Sequence, residues 1–303
     1  MRHTDWRQLE ESARLAIEAR TGRVHAARTT DAGLNSQLAA VLDTEAGTVF
    51  VKGLRVDHPG VVRQGREAMI NPFVRSVAPR LLWHDQAAGW DLLAFEYIDG
   101  GRHADYSPGS PDLARVIDAM HRLAAIGCPD LPVKQARQRW AAYVDCEADL
   151  ELLDGDALLH TDFNPLNILL GSDRAWILDW AWPTRGAAFI DAACFLIRAM
   201  AAGHSASQAE ALAAECPGWQ RAPAAAIDVF ALASARLYDE IARNDPQPFK
   251  QRLAAVSDEW ACHRAGAGQA DLGAWARSGC SGPCGISNAS SPVRSSRSTK
   301  PAA

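Results

Sequence analysis

The hydrophobic rhythm of the chain changes twice. At its start Trp6, Leu9, Ala13 and Ile17 recur at helical spacing and Gly22 follows, a residue suited to ending a helix, so an amphipathic N-terminal helix is predicted within residues 1–21. Between Val24 and Gly100 the pattern becomes short apolar runs broken by turn residues: Gln37 to Leu42, Thr48 to Leu54, Arg80 to His84 and Asp91 to Ile98. Asp43 to Gly47 reads as a hairpin loop, and a helical segment from Val61 to about Val74 precedes Pro79. The predicted order is strand, strand, helix, strand, strand.

After Asp99-Gly100-Gly101 the chain turns Ala- and Leu-rich and helical. Two short β-like runs, Ala157 to His160 and Ile168 to Leu170, interrupt it, with Ala175 to Leu178 after them, and these read as a small hairpin in a mainly helical region. The expected fold class is α+β with two lobes. Residues 22–99 form a small N-terminal lobe with an antiparallel sheet and one helix, and residues 100–278 a larger, mainly helical lobe. Residues 279–303, rich in Ser, Gly and Pro with little to bury, are expected to be a disordered tail. No internal repeat of solenoid length is visible.

A chain of 303 residues, 48% of them hydrophobic, can bury a sizeable core. Its net charge of −5, with scattered arginines, offers no basic face for a phosphate backbone, so a nucleic-acid partner is not expected. The opening residues lack the apolar core of a signal peptide, and the most apolar later stretch, AAFIDAACFLIRAM, is interrupted by Asp191 and Arg198. That stretch reads as a buried helix, with no membrane partner and a cytoplasmic location expected. The seven cysteines do not form a disulfide framework, and the Cys280/Cys284 pair lacks the second ligand pair of a zinc site. Whether the protein is a monomer or a homodimer is open.

The chemistry concentrates in LLHTDFNPLNILL. His160, Asp162 and Asn167 stand in an H-x-D-x-x-x-x-N arrangement on a polar loop between two apolar runs, and Asp179 ends the apolar run that follows. Phosphoryl transfer needs such a set: a carboxylate to orient and receive the proton of an attacking hydroxyl, and an amide with a second carboxylate to hold Mg²⁺ on the phosphates. Asp162 fits the first role, and Asn167 with Asp179 the second. Lys52 sits within the apolar run TVFVKGL, where a charge needs a partner or an anionic ligand, and Glu67 in the following helix is a candidate partner.

With HTDFNPLN, LDW, the strand lysine and LLAFEYIDG in place, residues 22–265 resemble the aminoglycoside phosphotransferase and choline kinase-like small-molecule kinases, which share a two-lobed protein-kinase-like fold. The resemblance implies Asp162 as catalytic base, Asn167 and Asp179 as metal ligands, Lys52 as phosphate-binding lysine and Glu67 as its partner. It makes Phe95 to Ile98 the interlobe hinge, with the Glu96 carbonyl and the Ile98 amide facing the adenine, and Gly33 to Ser36 the loop over the phosphates. His160 and Asp191 would brace the catalytic loop. The implied reaction moves the γ-phosphoryl group of ATP, or of GTP, with Mg²⁺, to a hydroxyl of a small molecule, aminoglycoside-like or another metabolite.

The chain departs from protein kinases in lacking the G-x-G-x-x-G loop, in carrying DWA where D-F-G would stand, and in having no A-P-E, which disfavours a protein substrate. An inactive nucleotide-binding pseudokinase module is the alternative reading. The acceptor is open: six acidic residues between Asp145 and Asp156 suit either a cationic acceptor or a solvated face. Asp239, Glu240, Asp258 and Glu259 are ambiguous in the same way. Trp180, Trp182, Trp219 and Trp260 suit either a core or a stacking surface.

Overall fold

The computed structural model describes residues 4–30 and 36–275. The expected loop positions Gly33, Leu34 and Asn35, the Cys280/Cys284 pair and the 279–303 tail lie outside the described residues. Residues up to Ala265 belong to one compact unit; the second unit begins at Gly266 and is helical through Trp275.

Helix α1 (Glu11–Thr21) precedes a sheet of β1 (Val24–Thr29), β2 (Leu38–Thr44), β3 (Gly47–Arg55), β4 (Leu81–Ala87) and β5 (Trp90–Glu96), ordered β1-β2-β3-β5-β4 and antiparallel throughout. Because side chains alternate along a strand, each central strand presents one face to α1 and the other inward. Leu38, Ala40 and Leu42 of β2, Val49 and Val51 of β3, and Trp90, Leu92 and Ala94 of β5 pack with Leu9, Ala13 and Ile17 into a separate core. Ala39, Val41, Phe50, Lys52 and Phe95 therefore face the opposite way, toward the second lobe.

Strand β1 was not expected. Its sequence VHAART has no apolar alternation, because it is an edge strand exposed along most of its length and held by its pairing with β2. The helix expected over Val61 to Val74 divides into α2 (Val61–Ile70) and a 3₁₀ turn at Asn71–Phe73, with Pro72 in the first turn of that 3₁₀ segment. From the last residue of α2 onward, Ile70, Val74, Val77 and Ala78 join the core of the second lobe.

The second lobe contains β6 (Arg102–His103), α3 (Asp112–Ala124), β7 (Lys134–Gln135), α4 (Ala136–Trp140), α5 (Glu147–Glu151), β8 (Ala157–Leu159), β9 (Ile168–Leu170), β10 (Ala175–Ile177) and β11 (Thr184–Gly186). Helices α6 (Ile190–Ala201), α7 (Ala206–Ala214), α8 (Ala224–Asn244) and α9 (Pro248–Trp275) follow. A hairpin forms between β9 and β10, with β6 on its other edge, and not between the runs now seen as β8 and β9. Strand β8 pairs elsewhere, with β11, which also pairs in parallel with β7. The loop from His160 to Asn167 thus spans two small sheets. Helix α6 is buried on almost all sides, in keeping with its apolar sequence. Among the described residues no helix is long and apolar enough to cross a membrane, and the described cysteines are unpaired thiols.

Candidate active site

The lobes enclose a cleft of about 570 Å³ lined by Ser36, Val41, Lys52, Phe95, Glu96, Ile98, Asn167, Ile177 and Asp179 among others. Arg28, Thr29 and Thr30, from the end of β1 and just beyond, also line it, so the strand missed in the sequence roofs part of the cleft. Arg28 reaches across to donate to the Tyr97 hydroxyl at 3.3 Å. The Glu96 carboxylate accepts from the Arg80 amide at 2.8 Å, and the Glu96 amide donates to the Arg80 carbonyl at 2.9 Å, which fastens this segment to the residue before β4.

Lys52 meets Glu67 with Nζ to Oε2 at 2.5 Å and Asp179 Oδ1 at 3.9 Å. Glu67 is only 4% exposed, so it is no solvated helix glutamate. Burial alone would lower the Lys52 value, but the two carboxylates outweigh it and hold the ammonium above its usual range. Helix α2, which carries Glu67, is pinned by a residue with no signature in the sequence. Asp91 on β5 is fully buried and accepts from Gln64 of α2 at 2.6 Å and from Gln86 at 3.0 Å, with His84 Nε2 at 2.8 Å. A buried carboxylate needs such saturation.

Across the cleft the polar loop is fastened to backbone. Asp191, at the first turn of α6, accepts from the amides of His160 at 2.9 Å and Thr161 at 2.7 Å. Burial pushes its carboxyl up, while these amides pull it back. The His160 side chain is buried edge-on between Phe163 and Trp180. Its Nδ1 accepts from the Asp162 amide at 3.3 Å, so Nε2 carries the proton and donates to the Leu178 carbonyl at 2.9 Å, with the Asp179 carbonyl at 3.2 Å. One imidazole therefore ties the loop to the strand end that bears Asp179. Thr161 and Asp179 both adopt positive φ, 67° and 58°. For a β-branched threonine that is a strained conformation.

Asn167 donates from Nδ2 to the Asp162 carbonyl and to its Oδ2, each at 3.0 Å. The other carboxylate oxygen of Asp162 accepts from Arg198 at 2.9 Å. Arg198 was read in the sequence only as a charge that argues against a membrane span. The missed signal is its place: it lies seven residues after Asp191 on one apolar helix, hence on the same face, and its side chain is 15% exposed, so it required an anionic partner.

Other ambiguities resolve. Trp180, Trp219 and Trp260 are buried core residues, whereas Trp182 is half-buried and surrounded by cations. The acidic stretch is partly neutralised from elsewhere in the chain: Asp145 pairs with Arg236, and Glu147 and Asp154 with Arg137.

No family model matches the chain, and no curated protein matches it in sequence. Solved structures do match in fold. The choline kinase LicA from Streptococcus pneumoniae is 12% identical with a TM-score of 0.55, over 86% of this chain and 97% of that one. The aminoglycoside phosphotransferase APH(4)-Ia is 14% identical with a TM-score of 0.52, over 82% and 98%. The spectinomycin phosphotransferase APH(9)-Ia, solved with ADP and spectinomycin, is 12% identical with a TM-score of 0.51, over 84% and 94%. The chain has their two-lobed, protein-kinase-like fold. At such identities the likeness is one of architecture. Within that kinase-like fold the cleft lies between the lobes, with Lys52 and Glu67 on the sheet side and the His160–Asn167 loop on the helical side.

Proposed function

We propose that the protein transfers the γ-phosphoryl group of ATP, or of GTP, to a hydroxyl of a small molecule. The observation that carries this reading is a convergence. A buried lysine–glutamate pair with Asp179 beside it lines the same cleft as Asn167, which is hydrogen-bonded to Asp162.

In this reading the base lies between the apolar walls of the cleft, against the backbone of Glu96 and Ile98, with Ser36 and Lys52 at the phosphates. Glu67 keeps the Lys52 ammonium charged and aimed. Asn167 and Asp179 supply hard oxygen donors that suit Mg²⁺. The Asn167 nitrogen is occupied by Asp162, so its carbonyl oxygen is the atom left for a cation. Bound there, Mg²⁺ neutralises charge on the phosphoryl group being transferred.

Asp162 receives the proton of the acceptor hydroxyl as that oxygen bonds to the γ-phosphorus and the bond to the bridging oxygen of the leaving ADP breaks. Arg198 and Asn167 each hold one oxygen of the carboxylate, which fixes its direction while leaving lone pairs for the hydroxyl. His160 and Asp191 brace the loop and transfer no proton.

The test is an assay of purified protein with γ-labelled ATP and Mg²⁺ against aminoglycosides, amino alcohols, nucleosides and sugars. Labelled product is expected, and Asp162→Asn should lose it while still binding nucleotide. Nucleotide and Mg²⁺ binding with no product from any acceptor class sinks the reading.

A further inference from the structure

Trp182 lies just past Asp179, and three cations from three different segments converge on its indole. The Lys134 ammonium of β7 is 4.8 Å from the ring centroid, the Arg139 guanidinium of α4 is 5.5 Å away, and the Arg66 guanidinium of α2 is 5.7 Å away. Among the described residues none of the three is in an ion pair. Arg139 spends its hydrogen bonds on neutral hydroxyls, those of Thr161 and, at 2.8 Å, Thr184.

The acids that act on Arg139 from a distance, Asp191 and Asp162, are committed to backbone amides and to Arg198 with Asn167. The ring attracts each cation weakly, and the cations repel one another. Burial, then Arg66 and Arg139, push the Lys134 ammonium below its usual range, the direction expected of a cation short of counter-charge. None of the four residues lines the nucleotide cleft, so a nucleotide seated there does not supply the missing charge.

We propose that Arg66, Lys134 and Arg139, gathered around Trp182, form a binding site for a phosphate group, distinct from the nucleotide cleft. Two guanidinium forks and an ammonium match the charge and the several acceptor oxygens of a phosphate. The site goes beyond phosphotransfer, and its test needs no turnover. It also joins the two halves of the cleft, because Arg66 precedes Glu67 on α2 and Arg139 holds Thr161, the neighbour of Asp162.

The experiment is thermal unfolding of the full chain titrated with inorganic phosphate, at ionic strength matched with chloride. Wild type should show a saturable rise in Tm. Arg66→Gln and Lys134→Gln should each weaken apparent phosphate affinity about tenfold or more, yet melt at or above the wild-type temperature without phosphate, because repulsion is relieved. Lys52→Gln, which alters the cleft, should keep the response.

Glycerol phosphate and glycerol serve as further probes. Tighter binding of glycerol phosphate than of inorganic phosphate assigns the group to an organic phosphate, and equal binding assigns it to the free ion. No saturable response in wild type, a response unchanged in Arg66→Gln and Lys134→Gln, or one lost in Lys52→Gln overturns the proposal.

Discussion

The two sides of the cleft are held by opposite means. On the helical side, Asp191 and His160 clamp backbone atoms: two amides donate to one carboxylate, and one imidazole bridges the loop to the carbonyls before Trp180. On the sheet side, Lys52 is aimed by another side chain, Glu67, whose helix is fastened by the carboxylate of Asp91. A broken clamp on the helical side moves the chain itself, whereas a broken pair on the sheet side releases only a side chain. Under the proposed reaction, the geometry of the Asp162 loop is thus fixed in the backbone, and that of Lys52 is adjustable.

The largest expected effect is on the proposed base. Asp162→Asn should lower kcat by about 10² to 10⁴ with nucleotide affinity retained, read in steady-state assays and nucleotide titration. Next comes the clamp: Asp191→Ala leaves two buried amides without an acceptor and should lower unfolding stability by about 3 kcal/mol in denaturant titration. A loss below about 1 kcal/mol would erase the contrast drawn above. Glu67→Gln should raise the nucleotide KM more than it lowers kcat, by about tenfold, since it releases Lys52 without moving the loop.

Arg198 sharpens the comparison, because it is a side chain acting on a side chain within the rigid half. Arg198→Gln should reduce kcat about tenfold at unchanged nucleotide KM, with partial recovery in Arg198→Lys, and an unchanged kcat would remove its positioning role. The smallest effect is one of pH. Lys52 titrates above its ordinary 10.5 in the folded chain, so its contribution to stability is complete below that value and is lost only as pH rises through the folded value. Lys52→Met, however, leaves the Glu67 carboxyl, which burial pushes up and Lys52 pulls down, without its cation, so the stability difference between wild type and this variant should widen as pH rises above the ordinary glutamate value of 4.5.

The residues of the candidate site were legible because each sits inside a local pattern. Lys52 breaks an apolar alternation, and His160, Asp162 and Asn167 punctuate a loop between apolar runs. What escaped were relations rather than residues. Strand β1 is polar along its length, and only its pairing with β2 makes it a strand. Strand β8 pairs with β11 instead of closing a hairpin with β9, and nothing in three apolar residues encodes a partner so far along the chain. Arg198 looked like an interruption of an apolar segment, and Asp91 like the mere start of one, until their partners were in place. The cations around Trp182 come from positions 66, 134 and 139, whose convergence only the tertiary fold creates.

The left-handed backbone at Thr161 and Asp179 bears on how this protein can be improved by selection. Glycine is the residue that relaxes such a conformation, so a screen for heat resistance alone would tend to favour Thr161→Gly and Asp179→Gly. The first removes the hydroxyl that receives Arg139, and the second removes the carboxylate beside Lys52. Thermal selection without an activity requirement would therefore erode the cleft from these two positions outward, leaving a robust fold with a blank centre.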